Sequence, residues 1–414
     1  GDGTFSDITE SAGLDGERWT CSCVLADVNG DTLPDIYFVN YLTGEDALHM
    51  ECYYSGKKRA CAPTNFPPEQ DRLYLNQGDG RFIDATTESG IVAEGGKGLG
   101  VVVADFQCDG NLDIYVSNDT TANFYFVNQA EPGAKPQFVD QALVTGLAYD
   151  GEGLGQASMG IAVGDGDEDG LLDIFVTNFY EEFNTYYKQE SASFFSDATH
   201  TMGLREPSFL VLVFGTQFID FELDGHLDLV TACGHIDDYR HMGKPYLMTP
   251  QVYSNRGKGQ FVQLPNKSVG PYFETKCLGR SVATLDWDRD GRQDFAVLHL
   301  YRPSSLLANR TKTTGHHLTL HVRSTTTARD AVGTTAFATI GDRTLIRQLK
   351  AGGGYQCSCQ PTIHFGLGDA VQVDQLVIQW PSGERQTFDD VPVDREVILV
   401  EGAEQLVDLP RDQD

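Results

Sequence analysis

Apolar and polar positions alternate along this chain in short stretches of strand length, each bounded by Gly, Asp or Asn, and the pattern predicts an all-β fold. Residues 101–105, 112–116, 124–128 and 137–140 alternate in this way around one Asp-rich turn and predict a four-stranded antiparallel sheet. The longest apolar run, residues 209–214, is strand length and far short of the roughly 18 to 20 residues of a membrane span. Beyond about Asn309 the Asp-rich turns vanish and Thr, Val and Gly take over. Alternation at residues 317–322, 375–379 and 396–400 there predicts a small β-sandwich.

The Asp-rich turn is one of five copies in register, the mark of a repeat architecture. The copies cover residues 27–35, 105–113, 165–173, 220–228 and 286–294, with oxygen-bearing side chains at loop positions 1, 3, 5 and 9 and Gly at position 6 in four of the five. Alternate side chains of a tight loop converge on one point, position 7 offers its carbonyl and position 9 closes the shell, as a hard cation such as calcium requires. The candidate ligands are Asp27, Asn29, Asp31, Leu33 and Asp35 in the first loop, and Asp105, Gln107, Asp109, Asn111 and Asp113 in the second. The third offers Asp165, Asp167, Asp169, Leu171 and Asp173, the fourth Asp220, Glu222, Asp224, His226 and Asp228, and the fifth Asp286, Asp288, Asp290, Arg292 and Asp294. About five calcium ions are expected, one for each loop. An EF-hand is excluded, because position 12 holds the strand formers Phe38, Val116, Val176, Thr231 and Val297 in place of Glu. Two carboxylates ~4 Å apart repel by about 4 kcal/mol at an effective dielectric of 20. Eighteen carboxylates at positions 1, 3, 5 and 9 therefore call for a cation.

First aspartates lie 78, 60, 55 and 66 residues apart, which suits β-propeller blades with connections of varying length. A closing-strand signature occurs at residues 76–82 and, degraded, at residues 255–261, and the fifth unit lacks it. Residues 1–7 are expected to complete the last blade and close the ring. The expectation is about five four-stranded blades, with a sixth or seventh lacking a metal loop left open. The propeller is placed at residues 1–310, the sandwich at 311–405 and a tail at 406–414.

Thirty Lys and Arg against sixty Asp and Glu give a net charge of −30, which repels phosphate backbones and anionic membranes. Nucleic acid and membrane insertion are excluded on this reading, and five divalent ions would bring the charge to −20. The chain opens inside a repeat, so a removed leader and a secreted, extracellular protein are expected. An extracellular protein or glycan is the expected partner.

Ala331-Val332-Gly333, His364-Phe365-Gly366-Leu367-Gly368 and Trp380-Pro381-Ser382-Gly383 resemble the ASPIC/UnbV domain. The five loops resemble the VCBS or FG-GAP repeats that precede it in the cartilage acidic protein-like family. The resemblance implies a secreted calcium-binding propeller with a β-sandwich appended, related in its repeats to the integrin α-subunit head. It implies architecture more than activity. Cys108 inside the second loop, Cys233 before Gly234-His235, and Tyr187-Lys188-Gln189 in the third closing strand depart from the family pattern.

Nine cysteines are many for this length. Cys52 and Cys61 bracket a short segment inside a long insertion of the first blade and predict a disulfide. Cys21 with Cys23, and Cys357 with Cys359, form two CysSerCys motifs whose sulfurs share one face of an extended strand. Two readings stay open: interdomain disulfides between the pairs, or a thiolate site for copper or zinc. His235, Asp237, Asp238 and His241 are read as a polar loop at a blade edge, with a metal or acid–base site as the alternative. His316, His317 and His321 are expected at the surface, Trp19, Trp287 and Trp380 in the core. Asn118, Asn266 and Asn309 fit glycosylation sequons. The leading expectation is a non-catalytic binding or adhesion module stiffened by calcium. The alternative is an enzyme on the same scaffold, with a thiolate metal or redox site at the CysSerCys pairs.

Overall fold

The computed structural model describes residues 3–409 apart from residues 15, 17, 48, 93, 132, 133, 313 and 314. Five antiparallel sheets follow one another along the chain. The first is built from Thr20–Ala26, Asp35–Asn40, Arg72–Asn76 and Phe82–Asp84, and the second from Gly98–Ala104, Asp113–Asn118, Phe124–Asn128 and Phe138–Asp140. Ile161–Gly164, Asp173–Val176, Thr185–Ser191 and Phe194–Asp197 make the third. Val213–Ile219, Asp228–Cys233, Gln251–Asn255 and Phe261–Gln263 make the fourth, and Gly279–Leu285, Asp294–His299 and Ser305–Leu307 the fifth. Each Asp-rich loop joins the first strand of its sheet to the second.

The sheets pack face to face in order, as blades do. Val24 and Val39 of sheet one meet Val101 and Val116 of sheet two; Phe106 and Tyr125 meet Ile161 and Ile174. Phe175 and Tyr186 meet Leu229 and Tyr253, and Val230 and Val252 meet Val282 and Val297. Sheet two is covered on both sides, so every residue of its first three strands is buried. Among the described residues no such core joins sheet five to sheet one, so the sheets form a propeller-like arc.

A carboxylate and an amide fasten each loop. The position 9 carboxylate accepts the backbone N–H of the residue near the end of its own third strand, from Asn76, Asn128, Gln189, Asn255 and Asn309, at 2.6 to 2.9 Å. The side-chain amides of Asn128, Gln189, Asn255 and Asn309 then donate across to the loop of the preceding sheet, to the carbonyls of Val28, Phe106, Gly166 and Phe221, at 2.7 to 3.1 Å. Asn76 has no preceding sheet and donates to Pro34 in its own loop at 2.9 Å.

Sheet five has three strands, and the described part of the N-terminal segment, residues 3–7, does not complete it. Gly1 and Asp2 lie outside the described residues; residues 3–7 form no strand and Phe5 is 99% exposed. The N-terminal segment is instead anchored on sheet one, where Phe82 N–H donates to Ala12 at 2.7 Å. Because the arc does not close on itself, that anchor keeps the segment away from sheet five. The same open end leaves Trp287 62% exposed, and Trp19 is 38% exposed, so only Trp380 of the three tryptophans is core, at 1%.

The C-terminal domain is a sandwich of two four-stranded sheets. One contains His316–Arg323 paired in parallel with Arg395–Val400; the other contains Thr335–Ile340 between Arg343–Gln348 and Gln372–Gln379. Leu318, Leu320, Phe365, Leu376, Ile378 and Trp380 fill the space between them. Residues 349–360 leave the sandwich and run through the middle of the arc. Ala351–Gly352 pairs with Val103 and Val102 of sheet two, Gly354 bridges Ile161 of sheet three, and Gln360 N–H donates to Thr284 of sheet five at 2.9 Å.

Asn255→Ala removes a buried donor, orphans the Gly166 carbonyl, and is expected to cost about 1 to 3 kcal/mol by equilibrium urea unfolding. Asn76→Ala, which breaks no bond to another sheet, is expected to cost less than half as much.

Candidate metal centres

Five loops share one backbone path. Position 4 and position 6 both lie in the left-handed region, as in Cys108 (φ 56°) with Gly110 (φ 90°), Glu168 (64°) with Gly170 (94°), and Arg289 (54°) with Gly291 (88°). The path aims the carboxylates inward. In every loop the position 5 N–H donates to the position 1 carboxylate at 3.1 to 3.2 Å, and the position 7 N–H donates to the position 5 carboxylate at 2.9 to 3.0 Å.

Position 3 separates the loops from one another. Asp165, Asp167 and Asp173 each bring an oxygen to within 4.8 Å of the others, and so do Asp286, Asp288 and Asp294. Loops one and two place the amides of Asn29 and Gln107 at position 3, and in loop four the longer Glu222 hydrogen-bonds Asp228. Asp167 Oδ1 is buried without a hydrogen-bond partner, while its Oδ2 and that of Asp169 hold the Lys188 ammonium. In loop five Arg310 lies 2.8 Å from Asp288 and 3.2 Å from Asp290. The chain's own cations are drawn to these carboxylates, and the orphaned oxygen within an all-oxygen donor set fits a hard divalent cation.

Burial works against so many charges. Desolvation pushes the carboxyls of Asp105, Asp165 and Asp286 up to about 6, those of Asp35 and Asp220 to about 7, and that of Asp173 to about 8. Cation-free loops therefore hold protons near neutrality, and a bound cation would expel them.

The other candidate groups have structural partners. Cys52 and Cys61 are bonded, and the hairpin that they tie crosses to sheet four, where Arg59 donates to the Asp238 carbonyl at 2.8 Å and Ala60 N–H to Asp237 at 3.0 Å. His235 is 1% exposed among the rings of Phe179, Tyr180 and Tyr239, and burial pushes its imidazole down to about 4. Cys21, Cys23, Cys357 and Cys359 are free thiols. Cys21 packs beside Tyr355, whereas the Cys357 thiol meets the Val282 carbonyl at 3.1 Å and Cys359 accepts Thr284 N–H at 3.4 Å, both on sheet five. Among the described residues no cysteine joins a group of three ligating side chains, and desolvation pushes Cys21 and Cys357 up to about 12, which keeps them protonated. His317 is buried at 4% exposure and His321 Nε2 lies 2.8 Å from Glu396, so neither is the surface residue expected. Asn118 and Asn309 are buried and hydrogen-bonded, which closes both sequons to a glycan in the folded chain.

Sequence reasoning missed that loops three, four and five form the floor of the C-terminal domain. Arg343 pairs with Glu168 at 2.9 Å and donates to the Asp224 carbonyl at 2.8 Å; Arg347 donates to the Gly225 carbonyl at 2.8 Å; Arg289 pairs with Glu396. A Cβ on Gly291 would fall 2.0 Å from the His317 ring, so position 6 is glycine there for contact as well as for conformation. The only signal for the seam was the charge placed at non-ligating position 4 by Glu168 and Arg289.

This arrangement is that of a protein of propeller-like repeats carrying a β-sandwich. Residues 61–116 and 220–297 match the FG-GAP-like repeat, and residues 324–406 match the family described as ASPIC and UnbV, so the chain carries both kinds of unit. It is similar to cartilage acidic protein 1 of Homo sapiens, 24% identical over 348 residues covering 83% of this chain and 49% of the relative. It also matches that of Xenopus tropicalis, 24% identical over 293 residues covering 69% of this chain and 42% of the relative. The chain thus spans about half the length of the curated relatives it matches. Among solved structures, an Agrocybe aegerita lectin that recognises non-reducing terminal N-acetylglucosamine overlaps 76% of this chain and 73% of its own, at 13% identity and a TM-score of 0.40, too low to carry an argument.

A carboxyl whose folded pKa exceeds its unfolded value near 4 makes the fold less stable as pH rises from about 4 through the folded pKa. In chelator the melting temperature is therefore expected to fall between about pH 5 and pH 8, and excess calcium is expected to remove or reverse the slope, as read by thermal melts across pH.

Proposed function

We propose that this chain is a secreted calcium-binding module whose propeller-like repeats act non-catalytically, as a binding or adhesion surface for an extracellular protein or glycan. The observation that carries the reading is the third loop, where Asp165, Asp167 and Asp173 converge and Asp167 Oδ1 lacks a partner. In the same register the other loops offer hard-cation sites of graded strength, from three carboxylates in loop five to Asn29 and Gln107 in loops one and two. The ions would supply charge neutralisation, and through the loops they would stiffen the contact with the C-terminal domain. The Cys52–Cys61 disulfide supports an oxidising compartment, and among the described residues no helix is long and apolar enough to cross a membrane. The hairpin that it ties presents Tyr53 and Tyr54, 63% and 52% exposed, which suits partner contact. Among the described residues the thiols of the two CysSerCys motifs join no group of three ligating side chains, which favours the non-catalytic reading.

Elemental analysis of protein purified without chelator is expected to find calcium, and chelator is expected to lower the melting temperature. One site at a hundredfold excess over its Kd contributes about 2.7 kcal/mol. Asp167→Ala and Asp288→Ala are each expected to remove roughly one ion. Lys188→Met, which takes away the competing ammonium, is expected to tighten calcium binding at loop three in a calorimetric titration. A calcium-free protein whose melting ignores chelator would overturn the proposal.

A further inference from the structure

The two ends of the arc carry unfinished surfaces that complement each other. Residues 3–14 repeat the closing strand and turn of sheet one, residues 80–91, with Gly3, Phe5, Asp7, Thr9 and Gly13 in register with Gly80, Phe82, Asp84, Thr86 and Gly90. The turn is already folded. Thr9 N–H donates to Asp7 at 3.0 Å, as Thr86 N–H does to Asp84 at 2.9 Å, and Leu14 N–H donates to the Thr9 carbonyl at 3.1 Å, as Ile91 N–H does to that of Thr86 at 3.0 Å. It is also seated as its sisters are: Phe82 N–H donates to the Ala12 carbonyl as Phe138 N–H does to Ser89 and Phe261 N–H to Met202, at 2.7 to 3.1 Å, which is how the turn after a fourth strand meets the next sheet. Residues 3–7 therefore stand where a fourth strand would precede sheet one, yet no sheet of the described residues includes them. Phe5 is 99% exposed, whereas Phe138, Phe195 and Phe261 are at most 4%.

Sheet five lacks that piece. Its third strand is an edge, and Leu298 and Leu306 are 51% and 47% exposed, although Val39 and Leu73 at the same places in sheet one are fully buried. At the other end of the arc, Leu25, Ile36 and Phe38 of sheet one are exposed or half-buried, where Val103, Ile114 and Val116 of sheet two are buried. The relay of amides stops at the same two ends. Asn76 turns back to Pro34, and Trp287 holds position 2, the acceptor position in loops one to four. The anchor on sheet one holds residues 3–7 away from sheet five of the same chain. We propose that the chain associates head to tail with a second copy, whose sheet five accepts residues 3–7 as its fourth strand. A second copy is the occupant because the segment that fits the edge, in motif and in turn, is this chain's own, and because the contact continues the seam that already joins sheet to sheet. Phe82, Phe138 and Phe261 lie opposite Asn76, Asn128 and Asn255, so Phe5 pairs opposite Asn309 of the second copy and Asp7 opposite its Leu307. Sheet one then covers the bare apolar face, and Asn76 donates to the Trp287 carbonyl of the second copy. Each copy has one donor end and one acceptor end. The proposal rests on strand geometry and is independent of calcium in the loops.

The test is sedimentation equilibrium of the full chain from micromolar to submillimolar concentration at physiological ionic strength, where charge is screened within about 8 Å. The mass is expected to rise with concentration beyond that of one chain, and Trp287 emission to move to shorter wavelength as its ring is covered. Phe5→Asp changes a side chain that touches little, and is expected to melt like the parent in dilute solution and to associate roughly tenfold or more weakly. Leu306→Asp blocks the acceptor edge and is expected to weaken association as much. Because the first variant keeps its acceptor end and the second its donor end, their mixture is expected to form a one-to-one heterodimer, a result that two like faces meeting would not give. A parent chain that keeps the mass of one copy throughout, variants that associate like the parent, or a mixture that stays unpaired would each overturn the proposal.

Discussion

A buried carboxylate at the end of each Asp-rich loop holds the repeats together. Asp113, Asp173, Asp228 and Asp294 are at most 2% exposed, and each accepts a backbone N–H from its own third strand. The same strand-end residue then reaches the preceding loop through its side-chain amide. Loops one to four are thus fastened from within their own sheet and from the next sheet, and packing of Val, Phe and Tyr between sheets follows that spacing. The arrangement puts carboxylates where water is scarce, and desolvation raises their pKa values accordingly. A cation offsets the same charge, so the loop chemistry and the packing of the arc are one problem in electrostatics.

The C-terminal domain belongs to that problem too. Its sandwich rests on loops three to five through Arg343, Arg347, His364 and Glu396, and residues 349–360 add backbone hydrogen bonds to the inner strands of sheets two, three and five. Most of those contacts reach loop carbonyls, which hold their direction only while the loop keeps its shape. Order in the loops and seating of the domain are therefore thermodynamically linked, and each favours the other. The arc needs this filling, since five sheets without a closing core leave an open middle for a strand from elsewhere in the chain.

Much of this was legible from short-range pattern. The five loops, their strand-forming flanks, the missing fourth strand of the fifth unit, the Cys52–Cys61 bond and the sandwich all follow from residues close in sequence. Other readings failed for want of neighbours. Trp287 sits at position 2 like buried Phe106, yet no following sheet covers it. His317 and His321 looked like surface residues at a strand start, but His317 faces Gly291 of loop five and His321 pairs with Glu396, which also holds Arg289. Asn118 and Asn309 fit sequons, but Asn309 belongs to the relay of amides and buried Asn118 donates to the Ala122 carbonyl of its own sheet. The position 9 aspartates were read as ligands alone, although their carboxylates also clamp the third strand.

The sequence by itself determined the loops, because the side chains, the left-handed turns and the carboxylate spacing all lie within nine residues and need no partner to converge. It also determined that the chain is nearly all β. Only the tertiary structure decided that the arc stays open and that residues 349–360 fill its middle. Gln348 meets Asp105 across 243 residues of chain. Contacts at that separation are selected by complementary surfaces and the entropy of closing a long loop, and neither leaves a local pattern to read.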